Sequence, residues 1–342
     1  MRLAGKALAA GGVLLALHLL RRERARWDLA GRTVLVTGGS RGLGLLVARE
    51  LAREGARVAI TARDAATLAR AREDLARHGA PVLALPCDVG DREAVEQLVR
   101  ETTQRLGPID ALVNNAGTIT VGPIDEMTIE DYQVALATHF WGPLYTILAV
   151  LPAMRARRAG RIVNVASIGG RVSVPHLLPY SASKFALVGL SEGLRAELAA
   201  DGIQVTTICP GLMRTGSPRH AWFKGQHRAE FAWFSIADSL PLMSMSADRA
   251  ARQIVDALRF GDADRVLSVP ARLAASVHGV VPGLTAELLS LVNRLLPASR
   301  GPGRQSPVAA GAIKGEASTS AVSPSVLTTL GDRAAARNNQ TP

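Results

Sequence analysis

The sequence predicts an α/β protein: a doubly wound, Rossmann-type parallel sheet of about seven strands with helices on both faces. Three observations predict it. The run RTVLVTGGSRGLGLLVARELAREGARVAI reads as an apolar strand (Thr33 to Thr37), a glycine-rich turn, an amphipathic helix and a second strand from Val58. Further short apolar runs end in small polar residues at PCDV, ALVNNAG and VTTICPGLMRT, in the order of a third, fourth and sixth strand. About 240 of the 342 residues, from 27 to 270, carry this pattern, enough for one full core.

Each element has a chemical consequence. In the first turn Gly38 permits the tight reversal, Gly42 lets the backbone come close to a diphosphate, and Gly44 lets the helix pack on the strand. The diphosphate would rest on the helix N-terminus, where unpaired N–H groups and the helix dipole favour an anion. Ser40, Arg41 and Leu43 complete that turn. Asp88, with Val89 after it, ends the third strand and is placed to accept a hydrogen bond from an adenine amino group. Asn115, Ala116 and Gly117 close the fourth strand; Pro210, Gly211 and Thr215 close the sixth. Between these lies VASIGGRVSVPHLLPYSASK, in which Ser167, Tyr180 and Lys184 supply a hydroxyl, a phenol and a cation. Tyr180 and Lys184, at i and i+4, share one helix face. A free phenol titrates near 10, and a neighbouring ammonium is expected to bring that down towards the working range.

These motifs, in this order, resemble the short-chain dehydrogenase/reductase family over about residues 30 to 270. The resemblance rests on TGGSRGLG, CDV, NNAG, the Ser167/Tyr180/Lys184 trio and PGLMRT. It implies that Tyr180 exchanges the proton, Ser167 orients the carbonyl or alcohol oxygen, and Lys184 binds the nicotinamide ribose while tuning Tyr180. It also implies that Thr215 contacts the carboxamide, that Asn115 and Gly117 line the cofactor, and that the protein is a homodimer or homotetramer. One position departs from the family pattern. Where an Asn usually holds a water through its backbone carbonyl, ATHFWGPL has His139, so either an altered proton relay or a packing role is expected there.

The second strand ends VAITARD, with Ala62 where an NAD-specific site would place an acid. Arg63 follows, and Arg41 lies just ahead of Gly42, a pair suited to gripping a 2′-phosphate. The expected cofactor is therefore NADP(H), with NAD(H) the alternative; Asp64 is assigned to capping the next helix.

The formal charge of +11 belongs mostly to the ends: residues 1–26 carry +5 and residues 298–342 carry +3, leaving +3 for the body. No aromatic-basic stripe accompanies it, so a nucleic-acid partner is not expected. The apolar run Ala7 to Leu20 is bounded by Lys6 and by Arg21, Arg22, Arg24 and Arg26. Fourteen helical residues span about 21 Å, short of the roughly 30 Å hydrocarbon core. Residues 1–26 are read as a marginal membrane anchor holding the enzyme domain on the cytoplasmic side, the alternative being an extension of a soluble cytoplasmic protein. Residues 271–297 are read as an amphipathic helical extension and residues 298–342, rich in Ser, Ala, Pro, Gly and Thr, as a disordered tail. Cys87 and Cys209 read as small buried residues rather than a disulfide, and no CxxC or paired-His spacing suggests a metal.

Residues 216–246 form the expected substrate lid. They hold Trp222, Phe223, Phe231, Trp233 and Phe234, five of only thirteen aromatic residues. With His176, Leu177 and Leu178 they suggest a pocket for a bulky apolar carbonyl or alcohol. The function expected is NADP(H)-dependent hydride transfer on such a substrate; the alternative is a non-catalytic dinucleotide-binding regulator or scaffold at a membrane.

Overall fold

The computed structural model describes residues 23, 26–299, 311–319, 323, 325 and 328–340. The expected anchor over residues 1–26 falls almost wholly outside them.

The chain runs β1 (Thr33–Thr37), α1 (Gly42–Arg53), β2 (Arg57–Ala62), α2 (Ala65–Ala76), β3 (Val82–Pro86), α3 (Arg92–Leu106) and β4 (Ala111–Asn114). There follow β5 (Thr120–Val121), α4 (Ile129–Leu136), a π-helical turn (Ala137–Trp141), α5 (Gly142–Arg157), β6 (Gly160–Val165), α6 (Leu178–Leu198) and β7 (Ile203–Pro210). Then come β8 (Met213–Arg214), β9 (Trp222–Phe223), α7 (His227–Ser239), β10 (Met245–Ser246), α8 (Ala247–Phe260), β11 (Asp264–Leu267), α9 (Val269–Val280) and α10 (Pro282–Asn293). The C-terminal residues add β12 (Ile313–Lys314) and α11 (Thr329–Arg337).

Seven strands form one parallel sheet in the order β11-β7-β6-β4-β1-β2-β3. Its strands are apolar on both faces, because helices cover both. The two-residue period sorts the side chains: Val34, Val36, Val58 and Ile60 pack with α1, α2 and α8. Leu35, Ala59, Leu112 and Ile162 point the other way, onto α3 and α5. The strand order reverses between β1 and β4, so their C-terminal ends open the crevice in which such folds bind ligands.

The stretch Ile129–Arg157 is long and apolar enough to cross a membrane by length and composition. Within the fold it packs on α3 and α6, as a core helix does. Cys87 and Cys209 are buried free thiols.

The C-terminal tail departs from the sequence expectation. β12 pairs antiparallel with β9, which in turn pairs with β5. α11 packs on α7 and β8, so part of the segment expected to be disordered is docked on the lid. Small residues make this possible: Ala335 sits where a side chain on Gly216 would be, about 2.6 Å from an ideal Cβ there.

Candidate active site

The glycine turn is held from the far end of β4. Thr37 Oγ1 accepts hydrogen bonds from the amides of Asn115 (3.0 Å) and Ala116 (3.1 Å). Asn115 Nδ2 donates to the carbonyls of Thr37 and Gly38, both at 3.2 Å. At Gly44 an ideal Cβ would fall 2.2 Å from the Gly38 carbonyl oxygen, so only glycine lets α1 start this close to β1. Gly117 closes the group against the His139 ring. These contacts bring Gly38, Ser40, Arg41, Gly42, Leu43 and Gly44 together with Asn115, Ala116 and Gly117 at one sheet edge.

Asp88 and Val89 end the neighbouring β3 connection, Asp88 Oδ1 accepting the Gly90 amide at 3.0 Å. Arg63 Nη1 lies 3.9 Å from Asp88 Oδ2 with its side chain 72% exposed. Burial lowers the pKa of Arg41, and the Arg63 charge lowers it further. Asp64 caps α2, accepting the Thr67 amide at 2.7 Å. On the other side Gly211 donates to the Leu267 carbonyl, and Thr215, buried, accepts the Ser217 amide through Oγ1 at 3.0 Å. An α-helix N-terminus behind a turn lacking side chains at positions 42 and 44, flanked by two guanidinium groups, fits a dinucleotide diphosphate and its adenosine end.

The sequence-predicted trio also meets. Ser167 lies two residues beyond β6 and Tyr180 in the first turn of α6, close enough for the Ser167 hydroxyl to draw the phenol's pKa down. Ser167 Oγ also accepts the Gly169 amide at 3.0 Å, which fixes the hydroxyl rotamer. Lys184 is buried, its Nζ 5.7 Å from the Tyr180 ring centroid and donating to the Val165 carbonyl at 2.8 Å. One expectation is reversed. Burial pushes the Tyr180 phenol up to about 12, only partly offset by Ser167, and burial pulls Lys184 down to about 7. Desolvation dominates both groups, and Lys184 donates its hydrogen bond to a backbone carbonyl.

His139 sits in the π-helical turn, wholly buried. Its Nε2 accepts the Thr118 amide at 3.1 Å, which leaves the proton on Nδ1, 2.7 Å from Ser183 Oγ. Ser183 in turn donates to the Tyr180 carbonyl at 2.8 Å, and the His139 ring meets the Tyr180 ring edge-on at 5.3 Å. Burial, with Lys184 nearby, holds the imidazole neutral, well below its ordinary pKa.

The lid aromatics divide. Phe223, Phe231 and Phe234 are buried against one another, with Trp233 and Tyr180 packed on that cluster. Trp222 remains partly exposed. Three features escaped the sequence reading. Fully buried Glu230 takes His176 Nδ1 at 2.8 Å and Trp233 Nε1 at 2.6 Å. Asp238 is buried in the lid, its carboxyl pushed up to about 7 by burial, against the Met213 amide, Ser217 and Arg214. Finally, Asn338, Asn339 and Gln340 reach the glycine turn. Only the His176/Glu230 pairing left a sequence signal, a histidine just before Tyr180.

The sequence model of the short chain dehydrogenase family matches residues 32–222. A Streptomyces violaceoruber protein, named for ketoacyl reductase 1 of the granaticin polyketide synthase, is 42% identical over 183 residues, 53% of this chain and 67% of that one. The 3-ketodihydrosphingosine reductase of Mus musculus is 36% identical over 187 residues, 53% of this chain and 56% of that one. A crystal structure of a short-chain dehydrogenase from Streptomyces avermitilis superposes with a TM-score of 0.66 at 30% identity, covering 77% of this chain and 97% of that one. Fold, motif order and matched length agree: this chain belongs to the short-chain dehydrogenase/reductase family, oxidoreductases that act on carbonyl and alcohol groups with a nicotinamide dinucleotide.

Proposed function

We propose that the chain is an NADP(H)-dependent carbonyl reductase with Tyr180 as the general acid and a bulky apolar ketone as substrate. The observation that carries this reading is the meeting of Ser167, Tyr180 and Lys184: Ser167 Oγ and the Tyr180 ring both lie beside Gly169, and Lys184 Nζ is 5.7 Å from that ring, at the sheet edge that also carries the glycine turn.

When bound, the nicotinamide supplies hydride to the carbonyl carbon. The chain supplies the rest. Ser167 holds the carbonyl oxygen, and Tyr180, protonated throughout the physiological range with a pKa of about 12, donates its proton to that oxygen as charge develops there. Lys184, poised near 7, lies close enough to return positive charge beside the phenolate left behind. His139, with both ring nitrogens engaged, braces the Thr118 loop against the α6 turn that carries Tyr180, so it positions the phenol rather than passing its proton.

The Arg63 charge acting on Arg41 supports NADP(H) over NAD(H). The aromatic cluster reaching Tyr180 supports an apolar substrate, in keeping with the keto groups named for two relatives. Exposed Ile129, Val134, Trp141 and Leu148 on the α4–α5 helix, with Phe185 on α6, support a homo-oligomer. Residues 1–26 support a membrane anchor with the catalytic domain in the cytoplasm. NADPH and NADH oxidation over a panel of bulky ketones tests the reading: NADPH is preferred by the wild type, and Arg63→Asp shifts the preference towards NADH by about tenfold or more. A preference for NADH in both proteins would refute the cofactor assignment.

A further inference from the structure

The C-terminal residues lie on the glycine turn itself. The carbonyl of Asn338 accepts the Gly42 N–H at 2.8 Å, and Gly42 is the first residue of α1. An ideal Cβ on Gly42 would lie 2.6 Å from Gln340 Nε2. The Gln340 amide therefore fills the space that this glycine leaves open, which is the space a diphosphate uses to approach the backbone. Asn339 ties the segment down on the adenosine side: its Nδ2 donates to the carbonyls of Ser40 (2.8 Å) and Thr67 (3.0 Å), and its Oδ1 accepts from Arg70 Nε at 3.0 Å. The Gln340 carbonyl accepts from His220 Nε2 at 2.9 Å, and His220 Nδ1 faces Arg41 Nη1 at 3.1 Å. At the other end Asn338 Nδ2 reaches the Thr215 carbonyl at 3.5 Å. The three amide residues thus run from Thr215 across Gly42 to Ser40, along the track assigned above to the dinucleotide.

We infer that residues 338–340 are an internal occupant of the dinucleotide site, an autoinhibitory plug that must leave before the cofactor binds. One N–H cannot serve both the Asn338 carbonyl and an anion, and one volume cannot hold both the Gln340 amide and a diphosphate. The plug is built to be displaced. Gln340 Oε1 is buried without a hydrogen-bond partner among the described residues, which weakens its hold. A cavity of about 590 Å³, lined by Arg214, Ser246, Asp248, Leu330, Arg333 and Arg337, leaves one side of α11 loosely packed. The apparent affinity for the cofactor is then the intrinsic affinity reduced by the fraction of chains with the plug out.

This inference rests on the dinucleotide reading of the site, and the experiment separates the two. In the full chain, Ser239→Cys with Gly331→Cys places the two Cβ atoms 3.8 Å apart, the separation of a disulfide, and locks α11 onto α7. NADPH binding is read by fluorescence titration. The oxidised lock is expected to bind at least about tenfold more weakly than wild type and to recover with reductant. The double variant Asn339→Ala, Gln340→Ala is expected to bind about three- to tenfold more tightly. Unchanged binding in the lock, or weaker binding in the double variant, would overturn the plug, the second result making the tail a wall of the cofactor site. If neither NADPH nor NADH binds any of these proteins, the dinucleotide reading fails and the plug with it.

Discussion

Lys184 donates a 2.8 Å hydrogen bond to the carbonyl of Val165, tying the helix that carries Tyr180 to the end of the strand that presents Ser167. A single buried amine thereby sets the spacing of Ser167 and Tyr180. Burial lowers its pKa to about 7, against an ordinary value of 10.5. Between those values the unfolded chain binds more protons than the folded one, so this group makes stability rise with pH from about 7 to about 10. Lys184→Met should flatten that rise in a series of thermal melts, while lowering kcat by about a hundredfold. A melting profile with the same slope in both proteins would show that Lys184 is not desolvated.

Asp238 works in the opposite sense. Its folded pKa, about 7, stands above the ordinary 3.8, so the folded chain binds the extra proton between those values. Stability falls as pH rises through that window, and the whole penalty is present above about 7. Asp238→Asn keeps an acceptor for the Met213 amide and removes the charge. It should stabilise the protein at pH 8, by on the order of 3 kcal/mol, and change little near pH 4. Equal melting shifts at both pH values would contradict the assignment.

The His139 ring is neutral and fully engaged, so the pH dependence of kcat between 5 and 7 should not carry its titration. His139→Phe takes away the acceptor of the Thr118 amide and one of the two partners of the Ser183 hydroxyl, and should cost about 1–3 kcal/mol of stability. His139→Gln, able to accept from Thr118, should recover part of that loss and of the activity together. Recovery of stability without activity would point instead to a proton path through the imidazole.

Much of this site was legible because its chemistry is local. TGGSRGLG, NNAG and the Ser167/Tyr180/Lys184 spacing each sit at the end of a strand, and a parallel sheet brings strand ends to one edge. Capping by Asp64 was readable for the same reason. What was not legible depends on contacts distant in sequence. The lowered phenol pKa expected from the i, i+4 cation failed because burial, a property of the assembled lid, dominates both groups. Pairing of β9 with two-residue β5 turns Phe223 inwards onto Phe231 and Phe234, a placement that no periodicity in this segment marks. The tail misled by composition. Its Ala, Ser and Gly residues carry little apolar signal, but they allow close backbone approach, and Asn338–Gln340 bind through amide groups that no periodicity marks.

Turnover by the phenol is tested most directly with stopped-flow NADPH oxidation on a bulky apolar ketone, comparing wild type with Tyr180→Phe after titrating NADPH binding to each. Equal cofactor affinity and a loss of about 10²- to 10⁴-fold in the hydride-transfer rate are expected. An undiminished rate in Tyr180→Phe would contradict turnover by the phenol.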